Sequence, residues 1–163
     1  MRCFYLLAIV SVCQIAACTV SAPPMANQQN SPSETLNRLS DSELERNKVL
    51  WQESHPRNYR MTIEYASGGF YPIASPVMIE VRNGKAVSLK PERANSGSTE
   101  RYRSFDTVEK IFEQIANYQK AERLMVEFDA VRGYPTKLDI DPSLAAEDDG
   151  FNLNVRKLEV LEK

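Results

Sequence analysis

A chain of 163 residues, 42% hydrophobic and 26% charged, has material for one folded core and lacks the low hydrophobicity of a disordered chain. Its 20 Lys and Arg against 22 Asp and Glu give a formal charge of −2, so neither nucleic acid nor an anionic surface is an expected partner. The cysteines are Cys3, Cys13 and Cys18, which leaves everything after residue 18 without a thiol for a disulfide, a catalytic nucleophile or zinc.

The chain opens with Arg2 and an apolar run from Phe4 to Val12, followed by Gln14 and the small-residue exit Ile15-Ala16-Ala17-Cys18. A spanning helix needs roughly 20 apolar residues; this run ends after about 15, which is the length of a secretory signal. An aliphatic residue three before a cysteine, with two small residues between, resembles a lipobox. That resemblance implies a signal peptide over 1–17, cut in front of Cys18, whose thiol carries a diacylglycerol with palmitate-type chains. An ordinary secretory signal cleaved near Ala22 is the alternative. Several acyl chains anchor far more firmly than one. The expected address is the bacterial cell envelope. Thr19 after the cysteine does not resemble the aspartate of an inner-membrane retention signal, which implies the outer membrane facing the periplasm if the cell is Gram-negative. Loss of Arg2 takes the formal charge to −3.

Residues 18–39 contain Ala-Pro-Pro, Asn-Gln-Gln-Asn and Ser-Pro-Ser with few large apolar groups, the composition of a disordered tether. Some 22 such residues give a mean reach of about 25 Å. The single globular domain is then 40–163.

Ser40 and Glu43 form a capping-box signature for a helix carrying Leu44, Leu50 and Trp51, which Pro56 stops after His55. Tyr59, Met61, Ile63 and Tyr65 alternate with polar residues and predict a half-buried strand. After Gly68-Gly69 and Pro72, the set Val77, Ile79, Val81 runs into Asn83-Gly84 and then Val87 and Leu89, a hairpin on a two-residue turn. Lys90 to Ser104 reads as a polar linker. Phe105, Val108, Ile111, Phe112 and Ile115 then mark a second helix, with Asp106 and Glu109 placed to meet its first amides. Leu124, Val126 and Phe128, the turn Gly133-Tyr134-Pro135, and Leu138 with Ile140 form another hairpin. In the last strand the inward set shifts from Phe151, Leu153, Val155 to Leu158, Val160, which requires a bulge near Arg156-Lys157.

The expected fold is α+β: an antiparallel sheet of about five to six strands with two helices on one face. The helix-plus-three-strands order occurs twice, and Met61-Thr62-Ile63-Glu64-Tyr65 faintly echoes Met125-Val126-Glu127-Phe128, so an internal duplication is one reading.

Three segments carry candidate function. In Ser67-Gly68-Gly69-Phe70-Tyr71-Pro72, Phe70 and Tyr71 ride on a glycine pair; they either meet a partner, as exposed aromatics do, or fold back to plug the sheet. Lys90, Arg93, Arg101, Tyr102 and Arg103 form a basic, aromatic-interleaved segment, either a solvated linker or a contact for an anionic partner. Asp139 and Asp141 lie two apart on a strand, with Glu147, Asp148 and Asp149 following, an oxygen-rich set that suits calcium or is merely solvated. Pairing of residue 129 with 137 sets Glu127 opposite Asp139, and the like charges then want a cation; pairing of 127 with 137 lets Lys137 neutralise Glu127. His55, the single histidine, has no Gly-x-Ser-x-Gly, His-Glu-x-x-His or phosphate loop beside it.

The stretch from Trp51 to Leu161 resembles small bacterial lipoproteins grouped as a domain of unknown function, DUF6174. The likeness runs through Asn58-Tyr59, Asn83-Gly84, the Phe-rich second helix, Phe128-Asp129, Gly133-Tyr134-Pro135, Asp141 and Asp148-Asp149. It implies the lipoprotein address and no chemistry. The repeated helix-and-strands order also looks like tandem domains of some envelope proteins and secreted enzyme inhibitors, a likeness of fold alone. The expected function is a non-enzymatic binding module, without a cofactor, that meets an envelope protein or ligand through the open sheet face or the Phe70-Tyr71 loop. The alternatives are a calcium-dependent structural module and an envelope hydrolase working through His55 or paired carboxylates.

Overall fold

A computed structural model of the chain describes residues 39–54, 56–67, 75–93 and 98–162. Cys18 with its signal and most of the tether, His55, and the Phe70-Tyr71 pair lie outside the described residues.

The first helix, α1, spans Asp41–Ser54. The Ser40 hydroxyl accepts from the Glu43 amide at 3.2 Å, and Leu44, Asn47 and Trp51 face inward. Buried Asn47 donates its side-chain amide to the Glu43 carbonyl at 2.9 Å, which satisfies that amide nitrogen inside the core. The strands β1 (Tyr59–Ser67), β2 (Val77–Arg82) and β3 (Lys85–Pro91) follow as an antiparallel meander. Asn83 (φ 51°) and Gly84 (φ 73°) make the predicted turn, and Asn58 ties it down by accepting the Asn83 amide at 3.0 Å.

The second helix, α2 (Val108–Asn117), is preceded by a 3-10 helix over Glu100–Phe105 that the linker reading of Lys90 to Ser104 missed. Tyr102 and Phe105, three apart, share the inward side of that helix, as its geometry dictates. The cap of α2 is Thr107, whose hydroxyl accepts from the Lys110 amide at 3.3 Å; Asp106 instead pairs with the Lys110 ammonium at 2.8 Å. The remaining strands are β4 (Arg123–Phe128), β5 (Pro135–Asp141) and β6 (Phe151–Val160).

All six strands form one antiparallel sheet in the order β3-β2-β1-β6-β5-β4, an α+β fold as expected. The inward residues of the sheet join those of α1, α2 and the 3-10 helix in one core. Helix plus three strands does occur twice. The halves enter the sheet in opposite senses, however, with the first strand β1 central in one and the last strand β6 central in the other. The echo between β1 and β4 therefore links a central strand to an edge strand.

Three bulges adjust the registers. In β6, Thr62 faces Lys157 and Ile63 faces Val155, so Arg156 is extruded where the shift of inward residues requires it, and it pairs with Glu64 at 3.2 Å. Val160, beyond the bulge, is 49% exposed rather than inward. In β3, Val81 faces Ala86 and Glu80 faces Ser88. Val87 is thereby turned out, 60% exposed, while Ala86 packs on the core in its place. The third bulge, where Phe128 faces Pro135 and Glu127 faces Lys137, sets the β4-β5 register.

Candidate functional site

Strand pairing brings the basic and the acidic candidate segments to one end of the sheet. Ser67 faces Phe151, Phe151 faces Ile140, Arg123 faces Asp141 and Val77 faces Pro91. The loop from β1 to β2, the 3-10 helix and the acidic loop from β5 to β6 all leave from this end. The Asn83-Gly84 and Gly133-Tyr134 turns occupy the other.

A pocket of about 380 Å³ opens there. Its floor consists of Tyr65 from β1, Phe105 closing the 3-10 helix, Tyr118 at the end of α2 and Phe151 opening β6. Ring centroids lie 5.6 Å apart for Tyr65 and Phe105, 5.7 Å for Tyr65 and Phe151, and 5.4 Å for Tyr118 and Phe151. Such tilted and edge-on contacts hold the rings in place beyond what their buried area contributes. Phe105 and Phe151 are buried, whereas Tyr65 and Tyr118 keep part of their surface open. Arg101, Asp148 and Asp149 also line the pocket, together with Ser104 and Gln114.

The basic stretch is thus divided. Arg101 reaches the pocket, while exposed Arg103 pairs with Glu100 at 3.6 Å. Tyr102 is no contact residue: it is 2% exposed, its ring meets Tyr65 edge-on at 6.2 Å, and its hydroxyl donates to the Ser75 carbonyl at 2.9 Å. Burial pushes its phenol above the ordinary value, with the neighbouring Arg101 charge acting in the opposite direction.

The acidic set is divided as well. Asp139 and Asp141 project from the open face of the sheet, and the Arg123 guanidinium binds both, Nε to Asp139 at 3.3 Å and Nη2 to Asp141 at 3.1 Å. Glu127 faces Lys137 and pairs with it at 3.1 Å, so of the two registers open to the sequence the neutralising one is formed. Asp148 and Asp149 lie in the pocket lining, and Glu147 is exposed outside it. Among the described residues no group of three or more His, Cys, Asp or Glu converges to hold a metal. The like-charge argument for calcium falls with the register, because Arg123 and Lys137 supply the positive charge. Millimolar calcium is accordingly expected to leave the thermal midpoint of the chain unchanged. Arg123→Gln leaves the partly buried Asp139 and Asp141 carboxylates without their shared guanidinium and should lower stability by about 1–3 kcal/mol. A calcium-dependent rise in the midpoint of the unsubstituted chain would restore the cation reading.

In the sequence Phe105 and Phe151 read as core residues, and neither Tyr65 nor Tyr118 stands out as functional. They come from β1, the 3-10 helix, the end of α2 and β6, and meet only where these elements pack together.

No curated protein and no solved structure matches this chain. The family of unknown function DUF6174 matches residues 43–160, from α1 through the end of β6, and the chain belongs to that family.

Proposed function

We propose that this protein is a lipid-anchored component of the bacterial cell envelope that binds a protein or small ligand without transforming it. The observation that carries the binding reading is the aromatic-lined pocket, where half-buried Tyr65 and Tyr118 share the lining with Arg101, Asp148 and Asp149. Rings provide contact area at low entropic cost and charged side chains orient what lies on them; together they are the chemistry of recognition. The anchoring reading is supported by Ile15-Ala16-Ala17-Cys18 after a short apolar run. Among the described residues no helix is long and apolar enough to cross a membrane.

The test is photo-crosslinking in cells from Ser104 and Gln114, both in the pocket lining, with Thr62 on the sheet's open face as the control position. A discrete product is expected from both pocket positions, absent from Thr62, and diminished in Cys18→Ser as the protein leaves the membrane fraction. No product from either pocket position would end the binding reading, and an unchanged membrane fraction for Cys18→Ser would end the anchoring one.

A further inference from the structure

On the reading that this pocket is the binding site, we propose that its ligand is a short zwitterionic peptide of about dipeptide size, with its ammonium toward Asp148 and Asp149 and its carboxylate toward Arg101.

Charges on the open face of the sheet neutralise each other in place: Arg60 with Glu80 at 3.1 Å, Lys137 with Glu127 at 3.1 Å, Arg123 with Asp139 and Asp141, and Arg156 with Glu64. Among the described residues the charges at the pocket are not paired in this way, which is also true of exposed charges such as Glu53, Lys85 and Lys120. What sets the pocket charges apart is that both signs line one cavity. Arg101 and the two aspartates line the same cavity, yet among the described residues no ion pair engages any of the three. The two signs also sit on separate walls, Arg101 on the 3-10 helix and the aspartates on the loop before β6. The four rings line the same cavity.

Each class of ligand meets this arrangement differently. A simple anion gains Arg101 and is repelled by two carboxylates; a simple cation gains the carboxylates and is repelled by Arg101. An apolar molecule uses the rings and leaves both walls unanswered. A molecule with an ammonium, a carboxylate and an apolar group answers all three. Its carboxylate presents the planar pair of oxygens that a guanidinium fork accepts. Its ammonium, set between the aspartates and the tyrosine rings, gains both ion pairing and attraction to the ring faces. Ser104 and Gln114 offer further partners for a peptide link. The volume of about 380 Å³ lies at the small end of ligand pockets and suits two residues rather than a long chain. A phosphoethanolamine headgroup carries the same two charges and has no apolar part to cover the rings, which favours the peptide.

The experiment is calorimetric titration of the full chain in detergent micelles with alanyl-leucine, its N-acetyl form and its C-terminal amide, with phosphoethanolamine as a competitor. Each blocked form is expected to bind about tenfold more weakly than the free dipeptide, the change that about 1.4 kcal/mol of lost charge pairing produces. Arg101→Gln should erase the difference between acid and amide and preserve that between free and acetylated amine. The double variant Asp148→Asn, Asp149→Asn should do the reverse. These side chains are exposed, so the variants retain the fold, which a circular dichroism spectrum checks. Equal affinity for blocked and free forms, or discrimination unaltered in the variants, overturns the proposal. Phosphoethanolamine binding where the dipeptide does not assigns the charges to a lipid headgroup and also overturns it. If no dipeptide binds while crosslinks from Gln114 persist, the peptide is wrong and the pocket stands; if both are absent, both readings fall.

Discussion

Gly133→Ala is expected to cost about 3–5 kcal/mol, in the range that only core or backbone disruption reaches. Two penalties meet at this residue. Gly133 holds φ at 73°, where a Cβ costs about 1–2 kcal/mol. That Cβ would also run into the Asn47 carbonyl oxygen and sit 2.7 Å from Leu50 Cβ, so the turn after β4 is seated directly on α1. The oxygen belongs to helix backbone and cannot swing aside as a side chain would. Either α1 lifts, loosening Leu44 and Trp51 from the core, or the turn opens and breaks the bonds from Gly133 to the Asp129 carbonyl and from Asp129 to the Tyr134 carbonyl, each 2.9 Å. Gly84 provides the control. It has the same φ of 73° and nothing within 4 Å of its Cβ position, so Gly84→Ala should cost only the backbone share, about 1–2 kcal/mol. Urea midpoints of the two variants separate the effects. Equal losses would mean that α1 does not depend on the turn.

That turn also shows what was legible beforehand. Gly133-Tyr134-Pro135 and Asn83-Gly84 announce themselves because few residues tolerate the backbone they require, and the alternation in β1, β4 and β5 follows from a sheet with one buried face. The β6 bulge was legible because the parity of its inward residues changes on either side of Arg156. The β3 bulge was not, since Val87 alternates correctly with Leu89 and nothing in its side chain says that small Ala86 will take the inward place. The β4-β5 register stayed open for the same reason: it turns on one extra residue, Thr136, opposite Glu127 and Phe128. Tyr102 was obscured by Arg101 and Arg103, although its spacing of three to Phe105 is the mark of a short 3-10 helix. The pocket was the least legible feature. Its basic and acidic walls were each visible as segments, but their meeting over Tyr65, Phe105, Tyr118 and Phe151 depends on which strands are neighbours, a long-range fact with no local signature.

Tyr59→Phe should produce the second large effect, and one whose size depends on pH. The Tyr59 hydroxyl is the buried acceptor for the Val108 amide at the start of α2, at 2.9 Å. Its ring stands edge-on to Trp51 at 5.6 Å, and the Trp51 indole donates to Glu109 at 2.8 Å, so this one phenol connects β1 to both helices. Removing the oxygen leaves the amide unsatisfied in the core, a loss of about 1–3 kcal/mol at neutral pH. Burial, and next the Glu109 carboxylate, push the Tyr59 phenol far above its ordinary value of 10.0, against the pull of the Val108 bond. The folded chain therefore holds this proton more tightly than the unfolded chain. The stabilisation is complete below the ordinary phenol value and drains away as pH rises through the raised one. Tyr102 and Tyr134 are raised by burial too and act in the same direction, so the substitution flattens only part of the alkaline decline. Urea unfolding between about pH 8 and 11, spanning the phenol range, should show the two stability curves converging as pH climbs. Parallel curves would mean that the Tyr59 proton is held no more tightly in the folded chain than in the unfolded one.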